Sequence, residues 1–430
     1  MSFEYKFVAK QIQTIQINQN KLVHSSRKVL GNLDDILIFN ELFKKGEHFL
    51  DRDAYPIALE YINEAISYSS QLPNKKIAEA FFLRSIIQFE MKNYVASVFD
   101  ITKAINLNSH NHLFYSHRAL VQVKIENYKD AIKDFDKALE IYTNQDVDFF
   151  NIRGECKFLI KEYSSAINDF YKCIEIDNSF ADAYFGIGRI NLELKKYEKA
   201  ISEFDKAIDL NSNNPNYFRY RGKAYLDLSF NNEAIKNFDI AISINSKESD
   251  FYYQRSCAKL GLNDSEGAIN DLLQVLELNP NYICAYFYLG NIYHYLEQYK
   301  NALKYFNKAI YLDSSNIDYF ISRAETKTNM KNFKGAIKDL NKVIKLDPKN
   351  ANALFLRGKS KYNSHEYEYA IEDFNMAIKI NSKNSHYFYQ RGLAKIALQK
   401  NTEANIDFQK SFSLGTKEEC LTYLSELRNV

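Results

Sequence analysis

The chain repeats itself every 34 residues, and this period constrains its fold more than any other feature of the sequence. A small residue followed by an apolar one marks each repeat, with successive gaps of 39, 34, 35 and then 34 residues. A fixed period of this length is typical of stacked repeats, in which each unit buries its apolar face against its neighbours. The eleven anchor residues are Ala58, Ser97, Ala131, Ala166, Ala200, Ala234, Ala268, Ala302, Ala336, Ala370 and Ala404.

Each anchor lies in a segment with helical periodicity. A large apolar residue stands four positions after the anchor, and seven positions after it there is usually another small residue. Upstream, an aromatic residue or Leu sixteen positions before the anchor is followed four residues later by Gly, Ala or Ser, as in Tyr286 and Gly290. Spacings of four and seven define one helix face, and a small residue permits a close crossing of two helices. Each repeat is therefore predicted to be an antiparallel helix pair.

Short polar turns separate the predicted pairs. The sequence LNS occupies 107–109 and 210–212, and LNP occupies 278–280. Asn, Asp, Ser and Pro at such positions end one helix and cap the next. Because neither helix can bury its apolar stripe alone, successive pairs are expected to stack.

The pattern resembles the tetratricopeptide repeat from about residue 36 to residue 414. Residues 217–246 contain Gly-x-Ala-Tyr, Ala-Ile and Phe-x-x-Ala-Ile at that family's spacing, although the chain has no Trp and keeps the family's turn Pro only at Pro280 and Pro348. The resemblance implies an all-α fold, a right-handed α-solenoid (superhelix) of about eleven helix-turn-helix units. It also implies a concave groove, lined by the first helices, that holds a peptide or a partner protein.

Three segments follow from the period. Residues 1–33 precede it and carry five basic residues and one acidic residue, a net charge of +4, and a strand, a flexible arm and a segment packed on the first repeat all fit this extension. Residues 34–415 form the predicted solenoid. Residues 416–430 are predicted to form a capping helix, because Leu421, Leu424 and Leu427 recur at helical spacing and would cover the last repeat.

Two columns of opposite charge accompany the repeats. Eight first helices carry an arginine: Arg84, Arg118, Arg153, Arg221, Arg255, Arg323, Arg357 and Arg391. Seven of these repeats carry an acid sixteen residues later: Asp100, Asp134, Asp169, Asp271, Asp339, Asp373 and Asp407. The eighth repeat loses both, having Leu289 and Tyr305. Paired loss predicts a salt bridge between the two helices of a repeat, and an arginine so engaged has few donors left for phosphate.

The resemblance places the residues fifteen, eleven and seven positions before each anchor in the groove. In the middle and later repeats these candidates are Phe185, Arg189, Arg219, Lys223, Tyr253, Phe287, Asn291, Tyr295, Phe355, Lys359 and Tyr389. We expect a peptide with an acidic part over Arg189, Arg219 and Lys223. Its apolar part is expected over Tyr253 and Phe287. The alternative is that these aromatic side chains pack between neighbouring helices.

Several partner classes are disfavoured. Asn291 has Phe287 four residues upstream rather than a Lys, so the basic constellation that clamps a chaperone's C-terminal carboxylate is not recognisable. Lys and Arg number 56 against 54 for Asp and Glu, a net charge of +2, which makes nucleic acid an improbable partner. An RNA-binding solenoid is nevertheless the first rival interpretation, and a targeting subunit for a separate enzyme is the second.

No catalytic chemistry is predicted. The sequence offers neither a nucleophile with an orienting base nor a Gly-rich phosphate loop, and no cofactor is expected. His110, His112 and His117 lack the partners of a metal site and are interpreted as surface residues near a turn. Five scattered cysteines favour a reducing compartment, and no apolar run reaches the roughly 18 residues of a membrane span. The sequence thus predicts a cytoplasmic, non-catalytic interaction scaffold.

Overall fold

A computed structural model describes residues 33–70, 72–142 and 146–415, and every regular element in these ranges is a helix. The predicted capping helix over 416–430, and all but the last residue of the predicted extension, lie outside the described residues. The chain forms two compact units, the first ending at Ala224 and the second beginning at Tyr225.

The first unit contains ten whole helices within the described residues. They are α1 (Leu33–Leu50), α2 (Tyr55–Ser67), α3 (Asn74–Glu90), α4 (Tyr94–Leu107), α5 (His112–Lys124), α6 (Tyr128–Ile141), α7 (Val147–Leu159), α8 (Tyr163–Ile176), α9 (Ala181–Glu193) and α10 (Tyr197–Leu210). The division between the units falls within α11 (Pro215–Asp227).

The second unit continues the same alternation in its described residues. Its helices are α12 (Asn231–Ile244), α13 (Ser249–Gly261), α14 (Ser265–Leu278), α15 (Ile283–Tyr295), α16 (Tyr299–Leu312), α17 (Ile317–Asn329), α18 (Phe333–Leu346), α19 (Ala351–Asn363), α20 (Tyr367–Ile380), α21 (Ser385–Ala397) and α22 (Asn401–Ser413).

Successive helices pack in pairs, and each pair packs on the next within its unit, so the predicted all-α solenoid architecture is confirmed. The apolar residue four positions after the anchor forms the core of each pair. Phe204 and Phe306 are fully buried in this way. A Cβ atom added to Gly188 or Gly290 would lie 2.5 Å from Cε1 of the facing Phe ring, so only glycine fits these crossings.

The turn inside each repeat depends on one residue in the left-handed region. Lys195 has φ of 58°, its N–H donates to the Leu192 carbonyl at 2.9 Å, and the next N–H donates to the Asn191 carbonyl at 2.8 Å. These bonds satisfy carbonyls that the end of a helix leaves without partners. The equivalent residues recur once per repeat, and none is glycine: Asp53, Lys92, Glu126, Lys161, Lys195, Ser229, Asn263, Glu297, Lys331, His365 and Gln399.

The turns between repeats end one helix and cap the next, as predicted. The Asn211 side chain accepts a hydrogen bond from the N–H of Asn213 at 3.1 Å, which closes the turn after α10. In later turns, an Asn just before the next helix caps that helix. The Asn316 side chain accepts from the N–H of Asp318 at the start of α17, and the Asn350 side chain accepts from the N–H of Ala353 at the start of α19. Asn and Asp side chains therefore supply these bonds.

The predicted salt bridges are present in all seven repeats that carry both residues. Arg323 is representative: its Nε and Nη2 donate to the two carboxylate oxygens of Asp339 at 2.9 and 2.6 Å. The Asp339 side chain is only 4% exposed. The pairs are Arg84–Asp100, Arg118–Asp134, Arg153–Asp169, Arg255–Asp271, Arg323–Asp339, Arg357–Asp373 and Arg391–Asp407. These are buried bidentate pairs rather than exposed ones, so their loss is costly.

Each pair also reaches beyond its own repeat. The remaining arm of Arg323, Nη1, donates to the Asn307 side chain in the preceding repeat at 2.7 Å. Lys327, four residues after the arginine, contacts the same Asp339 carboxylate at 2.6 Å. The lysine recurs in the repeats of Lys157, Lys259, Lys327, Lys361 and Lys395. In these five repeats the column is thus an Arg–Lys–Asp triad, and its arginine joins neighbouring repeats.

The eighth repeat replaces the whole triad with apolar packing. Leu289 stands in the arginine position and is fully buried. Tyr293 and Tyr305 occupy the lysine and aspartate positions, and their rings stack with centroids 5.4 Å apart and an angle of 1°. The paired loss seen in the sequence therefore replaces an ionic contact between the two helices with an aromatic one.

The histidine cluster differs from its interpretation. His110 is exposed and His112 stacks on Tyr142 at 4.2 Å, but His117 is fully buried, so its placement at the surface was wrong. The His117 Nε2 lies 3.1 Å from the Ser85 hydroxyl, and Nδ1 has no hydrogen-bond partner. Burial lowers the pKa of His117 to about 4, because the charged imidazolium would lose its hydration.

Candidate functional site

A cavity of about 430 Å³ lies between α19 and α21, the first helices of the last two repeats. It brings together three of the predicted groove residues, Phe355, Lys359 and Tyr389. The other lining residues are Asn352, Asn384, His386, Tyr387 and Gln390. We refer to these eight residues as the α19/α21 pocket.

Aromatic rings form the base of the α19/α21 pocket. Phe355 packs against Tyr387 with ring centroids 4.9 Å apart and against Phe374 at 5.9 Å. The ring of Tyr389 lies 5.8 Å from Phe408. These contacts hold the rings against the second helices of their own repeats, so the apolar surface is preformed.

The rim of the α19/α21 pocket is polar and has no acid among its eight residues, but Glu325 on the neighbouring α17 interacts electrostatically with Lys359. Lys359 is half-buried, and its ammonium group lies 5.8 Å from the Phe355 ring. Gln390 and Asn352 add amides that can both donate and accept hydrogen bonds, whereas the side-chain oxygen of Asn384 already accepts from the N–H of His386. The arrangement suits an apolar or aromatic side chain on the rings, with a carboxylate or backbone carbonyl at the ammonium group.

In the first unit, the structure engages two predicted groove residues in other contacts. Phe185 packs on Tyr217, with ring centroids 4.9 Å apart. Arg189 Nη1 donates to both carboxylate oxygens of Glu155 in the preceding repeat, at 2.9 and 2.7 Å. Because Glu155 already neutralises this guanidinium, the expected contact of Arg189 with an acidic peptide loses support. Arg219 lies over the Tyr220 ring at 4.4 Å, and Lys223 is half-buried.

In the second unit, the remaining predicted residues fall into two environments. Tyr253 packs against Tyr282 at 5.2 Å, and Phe287 packs against Tyr319 at 5.0 Å, as the packing alternative expected. Asn291 is half-buried on the same helix as Phe287. Tyr295 is 80% exposed and lines a separate cavity of about 680 Å³ near the turn after α15.

Sequence reasoning missed five residues of the α19/α21 pocket. Asn352 lies one helical turn before Phe355, and His386 and Gln390 flank the equivalent stripe on α21. The three offsets chosen from the anchor describe one stripe per helix, whereas a cavity between two helices also takes residues beside each stripe. Counting the residue three positions before each predicted one would have found Asn352 and His386.

Other chemistry is sparse in the described part of the chain. No group of three His, Cys, Asp or Glu side chains there is arranged to hold a metal ion. Burial raises the pKa of the Cys156 and Cys173 thiols to about 12, which keeps both protonated. Among the described helices, none combines the length and apolar character that a membrane crossing requires.

Comparison with known proteins agrees with this geometry. Sequence models of the tetratricopeptide repeat match residues 249–282, 283–316 and 317–350, and a further model of the same repeat matches 188–229. No curated protein matches the chain.

Three of the solved structures to which the chain is similar are the following. One is a tetratricopeptide repeat protein from Parabacteroides merdae, at 18% identity over 56% of this chain and 94% of that one, with a TM-score of 0.49. Yeast Tom70 is 17% identical over 91% of this chain and 95% of that one, with a TM-score of 0.38. YrrB, described as having an unusual peptide-binding site, is 22% identical over 44% of this chain and 97% of that one, with a TM-score of 0.39.

Proposed function

Since this chain is built from tetratricopeptide repeats, which imply a protein-interaction scaffold, we propose that it is a non-catalytic adaptor that binds an extended peptide segment. The α19/α21 pocket is the proposed centre of recognition. The observation that carries the proposal is its lining, in which a lysine and amides surround preformed aromatic rings. Such a site selects a segment that presents an acidic group beside an apolar side chain.

The other predicted groove residues have two different roles in this proposal, either contacting the peptide or shaping the surface. Asn291 and Lys223 have side chains compatible with contacts to a peptide backbone or an acidic group. Phe185, Tyr253 and Phe287 pack against neighbouring aromatic rings and are proposed to shape the surface more than to bind. We propose the cytoplasm as the compartment, which the buried free thiols of Cys156 and Cys173 support.

Selection from a random peptide library tests the proposal while the partner is still unidentified. The immobilised full chain is expected to select peptides in which an acidic residue lies within a few positions of an aromatic or aliphatic one. Lys359→Glu should weaken the selected peptides by about tenfold, because it places a like charge at the ammonium site.

Lys379→Glu is the matched control, since it makes the same charge change at an exposed position on α20, outside the pocket. It is expected to alter binding by less than about twofold. Equal weakening by the two variants, or selected peptides without acidic residues, would show that the pocket does not recognise the proposed segment.

A further inference from the structure

A second surface lies on the second helices of repeats eight and nine. It consists of six exposed lysines at matching repeat positions: Lys300, Lys304 and Lys308 on α16, and Lys334, Lys338 and Lys342 on α18. We refer to them as the lysine surface. None of the six forms an ion pair with any residue that the structure describes.

The two rows of the lysine surface are close to each other. Within each helix the lysines are four residues apart, so each row spans about 12 Å at 1.5 Å per residue. One guanidinium connects the helices, because Arg323 donates both to Asn307 on α16 and to Asp339 on α18. Like charges at this spacing repel one another, and this cost is removed when an anionic partner binds.

Acidic residues on the same two helices do not balance these lysines. The segment Tyr299–Leu312 that forms α16 contains no acid, and the single acid of α18, Asp339, is buried and paired with Arg323 and Lys327. The first unit offers a contrast on α6. Lys133 and Lys137 hold the repeat positions of Lys304 and Lys308, but they pair with Asp130 and Glu140, each at 2.8 Å.

An apolar cavity of about 560 Å³ adjoins the α16 row. Lys304 and Lys308 line it together with Tyr286, Tyr305 and Tyr311. The Tyr311 ring is 80% exposed, and the Lys308 ammonium lies 5.1 Å from its centroid. Tyr305 stands where other repeats have the aspartate of the triad, and it stacks on Tyr293. The replacement of the triad in the eighth repeat therefore also supplies one wall of this cavity. This cavity can therefore hold one apolar side chain of a ligand, while Lys304 and Lys308 attract acidic residues beside it.

Acids flank the lysine surface on both sides. Glu266 on α14 and Glu368 on α20 occupy the repeat position of Lys300 and Lys334, and Glu372 occupies that of Lys304 and Lys338. A nucleic acid strand running across successive repeats would meet these carboxylates, because its phosphates continue at every nucleotide. A short acidic segment, in contrast, would place its negative charges opposite the lysines without extending to these carboxylates.

We propose that the lysine surface and its tyrosine cavity bind a short acidic segment of a partner protein that carries one apolar or aromatic side chain. This site is separate from the α19/α21 pocket and lies on different helices. It makes repeats eight and nine a two-sided element, with first helices that belong to the groove and second helices that capture an acidic partner.

Fluorescence anisotropy with the full chain tests this proposal. The probe is a labelled peptide of about eight residues, glutamates around a central phenylalanine, measured at roughly 50 mM salt so that screening is weak. The triple variant Lys300→Gln, Lys304→Gln, Lys308→Gln should lose about tenfold in affinity. The matched triple Lys129→Gln, Lys133→Gln, Lys137→Gln on α6 removes the same net charge from the same repeat positions and should change affinity less than twofold.

Two further arms distinguish the parts of the proposal. Tyr311→Ser should remove the preference for the phenylalanine probe over one with a central alanine. The loss caused by the α16 triple variant should be equally large when Lys359→Glu is also present, since that substitution weakens binding in the α19/α21 pocket. Equal losses in the two triple variants, no binding by the wild-type chain, or tighter α16-dependent binding of a labelled oligouridine would each overturn the acidic-segment site. Thermal melting by circular dichroism verifies that every variant remains folded.

Discussion

Removing the carboxylate of Asp339 should destabilise its repeat strongly. This side chain is 4% exposed and accepts three charge-assisted hydrogen bonds, two from Arg323 and one from Lys327. In Asp339→Ala both cations lose their counter-ion while remaining only 16% and 17% exposed. Breaking a buried pair costs about 3–5 kcal/mol, and the partial exposure of the cations favours the lower end. We expect a loss of about 3 kcal/mol in the free energy of unfolding.

The eighth repeat supplies a matched control for Asp339→Ala. The triple variant Arg323→Leu, Lys327→Tyr, Asp339→Tyr copies the residues that stand at positions 289, 293 and 305. Replacing a buried ionic group by well-packed apolar residues is often neutral. The triple variant should therefore lie within about 1 kcal/mol of the wild type, although it changes more atoms.

Hydrogen exchange measured by mass spectrometry is the appropriate assay, because repeat arrays open locally rather than in a single step. Amides of α17 and α18 should exchange about a hundredfold faster in Asp339→Ala, the equivalent of about 3 kcal/mol, and near the wild-type rate in the triple variant. If Asp339→Ala leaves these rates within a few-fold of the wild type, or the triple variant is the less stable of the two, the triad is not what joins these helices.

Two further predictions concern the first unit. Because burial lowers the pKa of His117 to about 4, the unfolded chain binds the extra proton between pH 6.5 and 4, so this side chain should cost about 3 kcal/mol of stability as the pH drops through that window. Burial raises the pKa of Glu47 to about 7, which acts in the opposite direction over the same range, so the contribution of His117 is the difference between the urea-unfolding profiles of the wild type and His117→Leu. Identical pH profiles of the two proteins would contradict the assignment. Lys195→Gly should raise stability by about 0.5 kcal/mol, since the left-handed φ of 58° penalises a side chain slightly more than glycine's added entropy costs. A loss on substitution, measured by the same urea unfolding, would argue against that strain.

The sequence predicts the fold well because the residues that determine one helix pair recur in every repeat. The spacing of Phe204 or Phe306 from its anchor recurs in neighbouring repeats, so a single helix pair defines the others. The arginine and aspartate columns could be paired from their joint loss at Leu289 and Tyr305. The contact of Arg323 with Asn307 was missed, although an Asn or Asp also stands sixteen residues before Arg255 and Arg391 and accepts the same hydrogen bond.

The candidate site was less predictable than the fold. Offsets from the anchor identify helix faces, but they do not tell whether a residue there binds a ligand or packs on its neighbour. Arg189 and Lys359 hold the same offset and both face an acid of the preceding repeat, but Glu155 accepts hydrogen bonds from Arg189, whereas Glu325 interacts electrostatically with Lys359, which also lines a cavity. Burial of His117 likewise depends on Phe82 and Phe89 from another helix, which a local reading of the turn does not include.

The central claim is that the α19/α21 pocket, on the first helices, binds the proposed peptide segment while the triads maintain the repeat stack. Hydrogen exchange of the full chain with a library-selected peptide tests it most directly. The account predicts slower exchange confined to α19 and α21, around Lys359 and Tyr389, with little change in α20. Protection of α20 or of the first unit, with α19 and α21 unaffected, would contradict it.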